Sequence, residues 1–327
     1  MKRILFRADA KPSIGIGDLM SLINLSDYFN PDEWECFFMI RSYQAGVSLI
    51  SRINNKYVTI IDEKMSLIDE IDAINNVIVE YSIDLLFFEI TERPLSEYKG
   101  ITDSVKIACV NFDHQILDNM KLVINWDVDA ERYMKKSIYS NTTFLLGAKY
   151  VILPKQFYSL PPRIYKIKPE SLLIAMGGAD EFDFTAKIIG LLIQHNIKLC
   201  ITVIVGSGYV NLNALKELLL KSELTWEIKQ DVKSMLDEYL KCDIAIGAGG
   251  LTASELVATG TPALLIATYS HQIARCQYFH DKGLVTYLGY KSLNEKVLLN
   301  SLFDQYKISN ESFFDTYEIV RKVEQIV

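Results

Sequence analysis

Three glycine-bearing segments carry the residues in this chain whose types and spacing could do chemistry. The first is Ser13-Ile14-Gly15-Ile16-Gly17-Asp18, which follows the apolar run Ile4-Leu5-Phe6 and opens a helical stretch. Glycines at such a turn let backbone N–H groups approach an anion at a helix start. Asp18 is then a carboxylate at the mouth of the turn, able to take a proton from water or a hydroxyl. Asp is also favoured at helix starts for capping and dipole reasons alone, so that second reading stands beside the first. A dinucleotide fingerprint fails here, because Met20 occupies the third glycine position and the second strand ends in Arg41 rather than an acid.

The second segment is Gly247-Ala248-Gly249-Gly250-Leu251-Thr252-Ala253-Ser254-Glu255. Gly249 and Gly250 allow close approach, and the N–H groups of Leu251 and Thr252, with the Thr252 hydroxyl, could hold a diphosphate. Glu255, one turn in, could accept both hydroxyls of a ribose; a plain helix start with an acidic first turn is the alternative. Gln272, in Ser270-His271-Gln272, opens a later helix near the same place. The third segment, Met176-Gly177-Gly178-Ala179-Asp180, again joins a strand to a helix and reads either as a phosphate-side loop or as a tight turn. Gly206-Ser207-Gly208 is a weaker signal of the same kind. His114, in Asn111-Phe112-Asp113-His114, follows a strand and could serve as a second base, whereas His195 and His280 read as surface residues. No His, Asp and Glu cluster has metal-ligand spacing and no G-x-S-x-G elbow is present, so neither a tightly held metal, a cofactor nor a hydrolase triad is expected.

The elements that must position these groups are legible as apolar runs. Ile4–Phe6, Cys36–Ile40, Val58–Ile61, Leu85–Phe88, Ile107–Val110 and Leu122–Ile124 are short, β-branched or aromatic, and not alternating. Strands buried on both faces of a parallel sheet have that pattern. Helices are expected over 18–29 and 66–81. Four of the eight prolines fall within residues 154–169, which predicts a linker. Beyond it, strands are expected at Leu172–Ala175, Cys200–Val205, Asp243–Ile246 and Ala263–Ile266. Helices are expected at 185–195, 212–220, 232–240, 252–259 and 272–282, and a terminal amphipathic helix over 310–327. Two βαβ sets joined by a linker predict an α/β protein of two doubly wound, Rossmann-like domains facing across a cleft: 1–158, 170–309, and a helix, 310–327, returning to the first domain. Ligands of open α/β sheets lie beyond the carboxyl ends of the strands, where all three glycine segments fall.

With 327 residues, half of them hydrophobic, the chain can bury two cores. A net charge of −7 argues against a nucleic-acid partner. No run is long enough for a membrane span and the N-terminus lacks the apolar core of a signal peptide, so a cytoplasmic protein is expected. The five cysteines are scattered, and Cys36, Cys109 and Cys200 sit in apolar runs that predict burial as free thiols.

Several of these segments together resemble the UDP-sugar hydrolases of the pseudaminic acid pathway (the PseG type) and the related spore-coat polysaccharide proteins. They are Ile4-Leu5-Phe6-Arg7-Ala8-Asp9-Ala10 with Ile14-Gly15-Ile16-Gly17, Phe112-Asp113, Val123-Ile124-Asn125, Leu146-Gly147-Ala148-Lys149-Tyr150, Met176–Asp180, and Gly249–Glu255 with Gln272. The resemblance covers most of the chain in order. It implies the GT-B-like fold of inverting glycosyltransferases, UDP held by the second domain, and cleavage by water of the anomeric C–O bond of UDP-2,4-diacetamido-2,4,6-trideoxy-altrose. Where that family has a water-activating His, this chain has Asp18, and Phe88-Glu89 stands in place of a family Asp-His pair. An aspartate with its ordinary pKa near 4 is a weaker base than histidine unless its surroundings change it. The expected partner is a UDP-sugar, with hydrolysis, sugar transfer and binding without turnover as the three readings.

Overall fold

The computed structural model describes residues 1–11, 16–53, 56–90, 93–110, 117, 120–133, 141–206, 208–230, 232, 234–304 and 313–327. They fall into two compact units, Met1–Lys155 with Phe314–Val327, and Gln156–Phe313. In the first, β1 (Lys2–Ala8), α1 (Gly17–Ser26), β2 (Trp34–Arg41), α2 (Gln44–Ile50), β3 (Tyr57–Ile61), α3 (Leu67–Glu80), β4 (Leu85–Glu89), β5 (Lys106–Val110), β6 (Met120–Asn125), α4 (Ala130–Tyr133) and β7 (Thr143–Leu146) follow one another. Their seven strands are parallel in the order β3-β2-β1-β4-β5-β6-β7. The order reverses between β1 and β4, which sets the switch point of this sheet there.

Side chains alternate across each strand. Leu5, Met39, Leu86 and Phe88 therefore reach one face, where they join Ile74, Val77 and Ile78 of α3 in a buried cluster. Arg7 and Asp9 follow Leu5 to that α3 face. Glu89, in register with Ala8, belongs to the other face, against which α1 packs. α3 begins where Ser66 accepts the Asp69 amide, a side-chain cap on an orphan N–H.

The last helix, α11 (Thr316–Ile326, numbered after the helices below), belongs to the first unit. Asp315 caps it by accepting the Glu318 amide at 2.9 Å. The Thr316 hydroxyl donates to the Val151 carbonyl, and Tyr150 donates to Glu318 at 3.0 Å. Tyr317 meets the ring of Tyr28 edge-on. A strongly amphipathic helix of this length is marginal alone; Ile319, Val320 and Val323 are buried here.

The second unit contains β8 (Ser171–Ala175), α5 (Phe184–Gln194), β9 (Cys200–Val205), α6 (Leu212–Leu220), β10 (Thr225–Gln230), α7 (Met235–Lys241), β11 (Ile244–Ala248), α8 (Leu251–Ala258), β12 (Ala263–Ala267), α9 (Ile273–Asp281), β13 (Thr286–Tyr290) and α10 (Glu295–Ser301). Its six parallel strands run β10-β9-β8-β11-β12-β13, so this sheet switches between β8 and β11. The segment before β8 has no regular element over 159–170, yet it is anchored. Arg163 donates to the carbonyls of Tyr239 and Cys242 and, at 2.9 Å, to Thr261, while Tyr165 donates to the Gly260 carbonyl.

Several expected boundaries shift. α1 stops at Ser26, short of Phe29. α7 begins after Ser234, whose side chain accepts the Asp237 amide, rather than at 232. Cys200 is exposed, against expectation, because it is the first residue of β9; the other four free cysteines are buried. Among the described residues no helix is long and apolar enough to cross a membrane.

Candidate active site

Among the described residues, the candidate groups lie at the carboxyl ends of the strands, most of them beside the switch points. In the first unit, Gly17 and Asp18 form the opening turn of α1, and Ile16 at the N-cap supplies no side-chain cap. Asp18 and Ser21, one turn apart, share a helix face. That face meets Glu89, the last residue of β4. Glu89 is 1% exposed, and its Oε2 atom is buried with no hydrogen-bond partner among the described residues. Burial and the neighbouring charge of Asp18 push the Glu89 carboxyl well above the ordinary carboxylate range, and a hydrogen bond with Ser21 opposes them only in part. Glu89 therefore holds its proton more tightly than an ordinary carboxyl and stands beside Asp18. A neighbouring carboxylate of like charge disfavours the ionised form of Glu89. Gly15 and His114 lie outside the described residues.

In the second unit, β11 delivers Gly249 and Gly250 to the start of α8. Gly250 is the N-cap and has no side chain to offer, so the leading amides of Leu251 and Thr252 receive no side-chain cap. A helix start of this kind attracts anions. Gly249 is required by close approach: a Cβ there would lie 2.4 Å from Cys276 Sγ and 3.0 Å from Gln272 Cβ. Gln272 is buried, and its Oε1 accepts from the Thr268 amide at 2.8 Å and the Thr268 hydroxyl at 3.0 Å. That leaves its amide nitrogen on the Gly250 side, where a Cβ would stand 3.6 Å away. Glu255 accepts the Tyr239 hydroxyl at 2.7 Å through one oxygen. Burial raises the Glu255 pKa, and the Tyr239 hydrogen bond lowers it by less. The Thr252 hydroxyl lies against Tyr239 as well, so it is engaged within the protein.

The loop after β8 divides into two roles. Gly177 and Gly178 sit at the switch point, with open space where a side chain would be. Asp180 instead accepts the amides of Phe184 and Thr185 at 2.9 and 2.8 Å and fixes the start of α5. Gly206, at the end of β9, closes on that loop; a Cβ would lie 2.5 Å from the Gly178 carbonyl oxygen. The structure thus brings Gly177, Gly178, Gly249, Gly250, Leu251, Thr252, Glu255 and Gln272 to one end of one sheet. Tyr239 escapes a reading of spacing because it belongs to α7, sixteen residues from Glu255 in the chain. Ser21 carries no signal beyond its turn-spacing from Asp18.

The fold is an α/β fold of the GT-B type, built of two Rossmann-like units. Over the whole of both chains it is similar to the crystal structure of MurG from Acinetobacter baumannii, with a TM-score of 0.68 at 14% identity. Residues 172–315, which contain the glycine-initiated α8, match the glycosyltransferase family 28 C-terminal domain. Among curated proteins the chain is similar to the spore coat polysaccharide biosynthesis protein SpsG of Bacillus subtilis, 26% identical over 217 residues. That match covers 63% of this chain and 62% of SpsG, so it spans less than two thirds of that relative's length. A shorter match, 31% identical over 107 residues and 30% of each chain, is to the UDP-N-acetylglucosamine–N-acetylmuramyl-(pentapeptide) pyrophosphoryl-undecaprenol N-acetylglucosamine transferase of Methylococcus capsulatus.

Proposed function

We propose that this protein cleaves the anomeric C–O bond of a UDP-activated amino sugar with water, releasing UDP, in the synthesis of a surface glycan. The observation that carries the reading is the uncapped start of α8, framed by Gly249, Gly250, Gln272 and Glu255 at the switch point of the second sheet, within the stretch that matches the family 28 domain. The similarity to SpsG supports the glycan assignment. In this reading the amides of Leu251 and Thr252 meet the charge that develops on the diphosphate as it leaves. Glu255, oriented by Tyr239, accepts the ribose hydroxyls. Asp18 takes the proton of the attacking water, with the Glu89 carboxyl beside it. The water oxygen bonds to the anomeric carbon, and the electron pair of the broken C–O bond departs with UDP.

A second reading, transfer of the sugar to an acceptor hydroxyl by the same base, is favoured by the family 28 match and by the Methylococcus transferase. Incubation with UDP-N-acetyl amino sugars separates the two. UDP release without acceptor is expected; release only with a sugar acceptor would replace hydrolysis by transfer, and UDP binding with no release in either case would refute catalysis. Glu255→Ala is expected to weaken UDP binding roughly 10- to 100-fold, the worth of charge-assisted hydrogen bonds, without unfolding the chain. Calorimetric titration with UDP checks this, and an unchanged affinity would remove Glu255 from the ribose.

A further inference from the structure

The first unit contains a polar pocket, about 220 Å³ in volume, on the α3 face of its sheet, opposite the face that carries Asp18 and Glu89. Its floor is a buried ion cluster. Arg7, 1% exposed, donates to Asp9 at 2.8 Å, to Glu70 at 2.9 Å and to the Ala8 carbonyl. Arg41 pairs with Glu70 and donates to the carbonyls of Glu63 and Met65 at 2.8 and 3.0 Å. Its own amide donates to Asp9 at 2.7 Å, and Tyr98 donates to Glu70 at 3.0 Å. Two guanidinium groups face two carboxylates, so the floor is neutral in sum and satisfied from within.

The rim has a different balance. Lys11, Lys64 and Arg93 line it against the single carboxylate of Glu63. The Lys11 ammonium lies 5.8 Å over the Tyr43 ring. Three cations against one anion are concentrated at one concave place on a chain whose net charge is −7. A concave site of one sign focuses its field on a counter-ion. The volume is several times the share of one water, about 30 Å³, and is enough for a tetrahedral or planar oxyanion with its hydration.

We propose that this pocket is an anion-binding site, taking the phosphoryl or carboxylate group of a small ligand between Lys64 and Arg93 above the Arg7–Asp9–Arg41–Glu70 floor. The inference is independent of the UDP reading, since the floor and rim share no residue with either candidate catalytic group. Glu70, Arg7 and Arg41 hold the floor in shape; Lys64 and Arg93 supply the charge that the ligand neutralises.

Calorimetry on the full chain tests this, at low ionic strength in an oxyanion-free buffer without nucleotide, the Lys64 and Arg93 variants distinguishing this pocket from the second unit. Inorganic phosphate is one probe and malonate the other. At least one is expected to bind with a dissociation constant of about 1 mM or tighter. Binding of phosphate alone would identify a phosphoryl ligand, and of malonate alone a carboxylate. The double variant Lys64→Gln, Arg93→Gln should weaken that binding at least tenfold, and the charge-preserving pair Lys64→Arg, Arg93→Lys should retain it, both with an unchanged unfolding midpoint. Added sodium chloride should weaken binding in the wild type. If neither anion binds, or if the glutamine variant binds as the wild type does, the proposal is wrong. UDP release, measured separately, reports on the other site and does not enter this result.

Discussion

A chain carrying Asp18→Asn is expected to release UDP from its sugar nucleotide roughly 100 to 10,000 times more slowly than the wild type, the usual worth of a positioned base. The amide keeps the shape and can still start α1, so its loss is one of proton acceptance. Glu89→Gln should cut the rate as well, because Glu89 is the acidic group whose charge and hydrogen bonding Asp18 meets at the end of β4. The stability of this second variant separates chemistry from folding. Glu89 has its pKa raised in the folded chain by burial and by Asp18, so the folded state holds that proton more tightly than the unfolded state. Raising the pH through the ordinary carboxylate value, toward the raised one, therefore costs the wild type stability. Glutamine cannot ionise and escapes that cost. Glu89→Gln should be as stable as the wild type at acid pH and more stable at neutral and alkaline pH, while slower in turnover. Chemical unfolding at several pH values beside a UDP-release assay checks both halves. A full rate in Asp18→Asn would remove that residue from catalysis, and a Glu89→Gln variant destabilised at every pH would make Glu89 structural only.

The largest stability effect is expected at Glu70. This carboxylate is fully buried on α3 and joins Arg7, Arg41 and Tyr98, so that a single side chain ties α3 to β1, β2 and the segment after β4. Burial works against the Arg7 charge, but the carboxylates of Asp9 and Glu70 outweigh it and hold the guanidinium above its ordinary value. Arg7 cannot respond to the loss of a partner by giving up its proton. Glu70→Ala therefore leaves two buried guanidinium groups facing one carboxylate, and breaking a buried pair in this way costs about 3–5 kcal/mol. Urea unfolding should show the midpoint lowered with the slope retained. A loss below about 1 kcal/mol, the value of an exposed pair, would mean that the cluster is solvated and that the floor of the anion pocket is not preformed.

The parallel strands at the centre of both sheets were legible because burial on both faces demands uninterrupted apolar runs. Phe37–Ile40, Leu85–Phe88 and Ala263–Ile266 are such runs. Three edge strands, β7, β10 and β13, were not. β10 reads Thr-Trp-Glu-Ile-Lys-Gln, with Thr225, Glu227 and Gln230 exposed at a sheet edge and none of its residues fully buried, and β13 carries a register shift near Gly289. The short helices α2 and α10 are likewise too brief for periodicity to accumulate. The glycine turns were legible as strand-to-helix junctions, since close approach at Gly249 leaves room for no other residue. Asp180 shows the limit: its place in a glycine-rich loop suggests ligand contact, and the structure gives its carboxylate to the amides of α5.

By itself, then, the order of residues determined which segments become strands and helices and which glycine turns end the strands, because backbone propensity and side-chain period are local properties. Tertiary structure alone decided the partnerships of the charged groups. Arg7 meets Glu70 across 63 residues and Asp18 meets Glu89 across 71. Whether such a carboxylate is paired, protonated or exposed depends on what the sheet order brings beside it, and electrostatic energy follows distance and burial in space rather than separation along the chain.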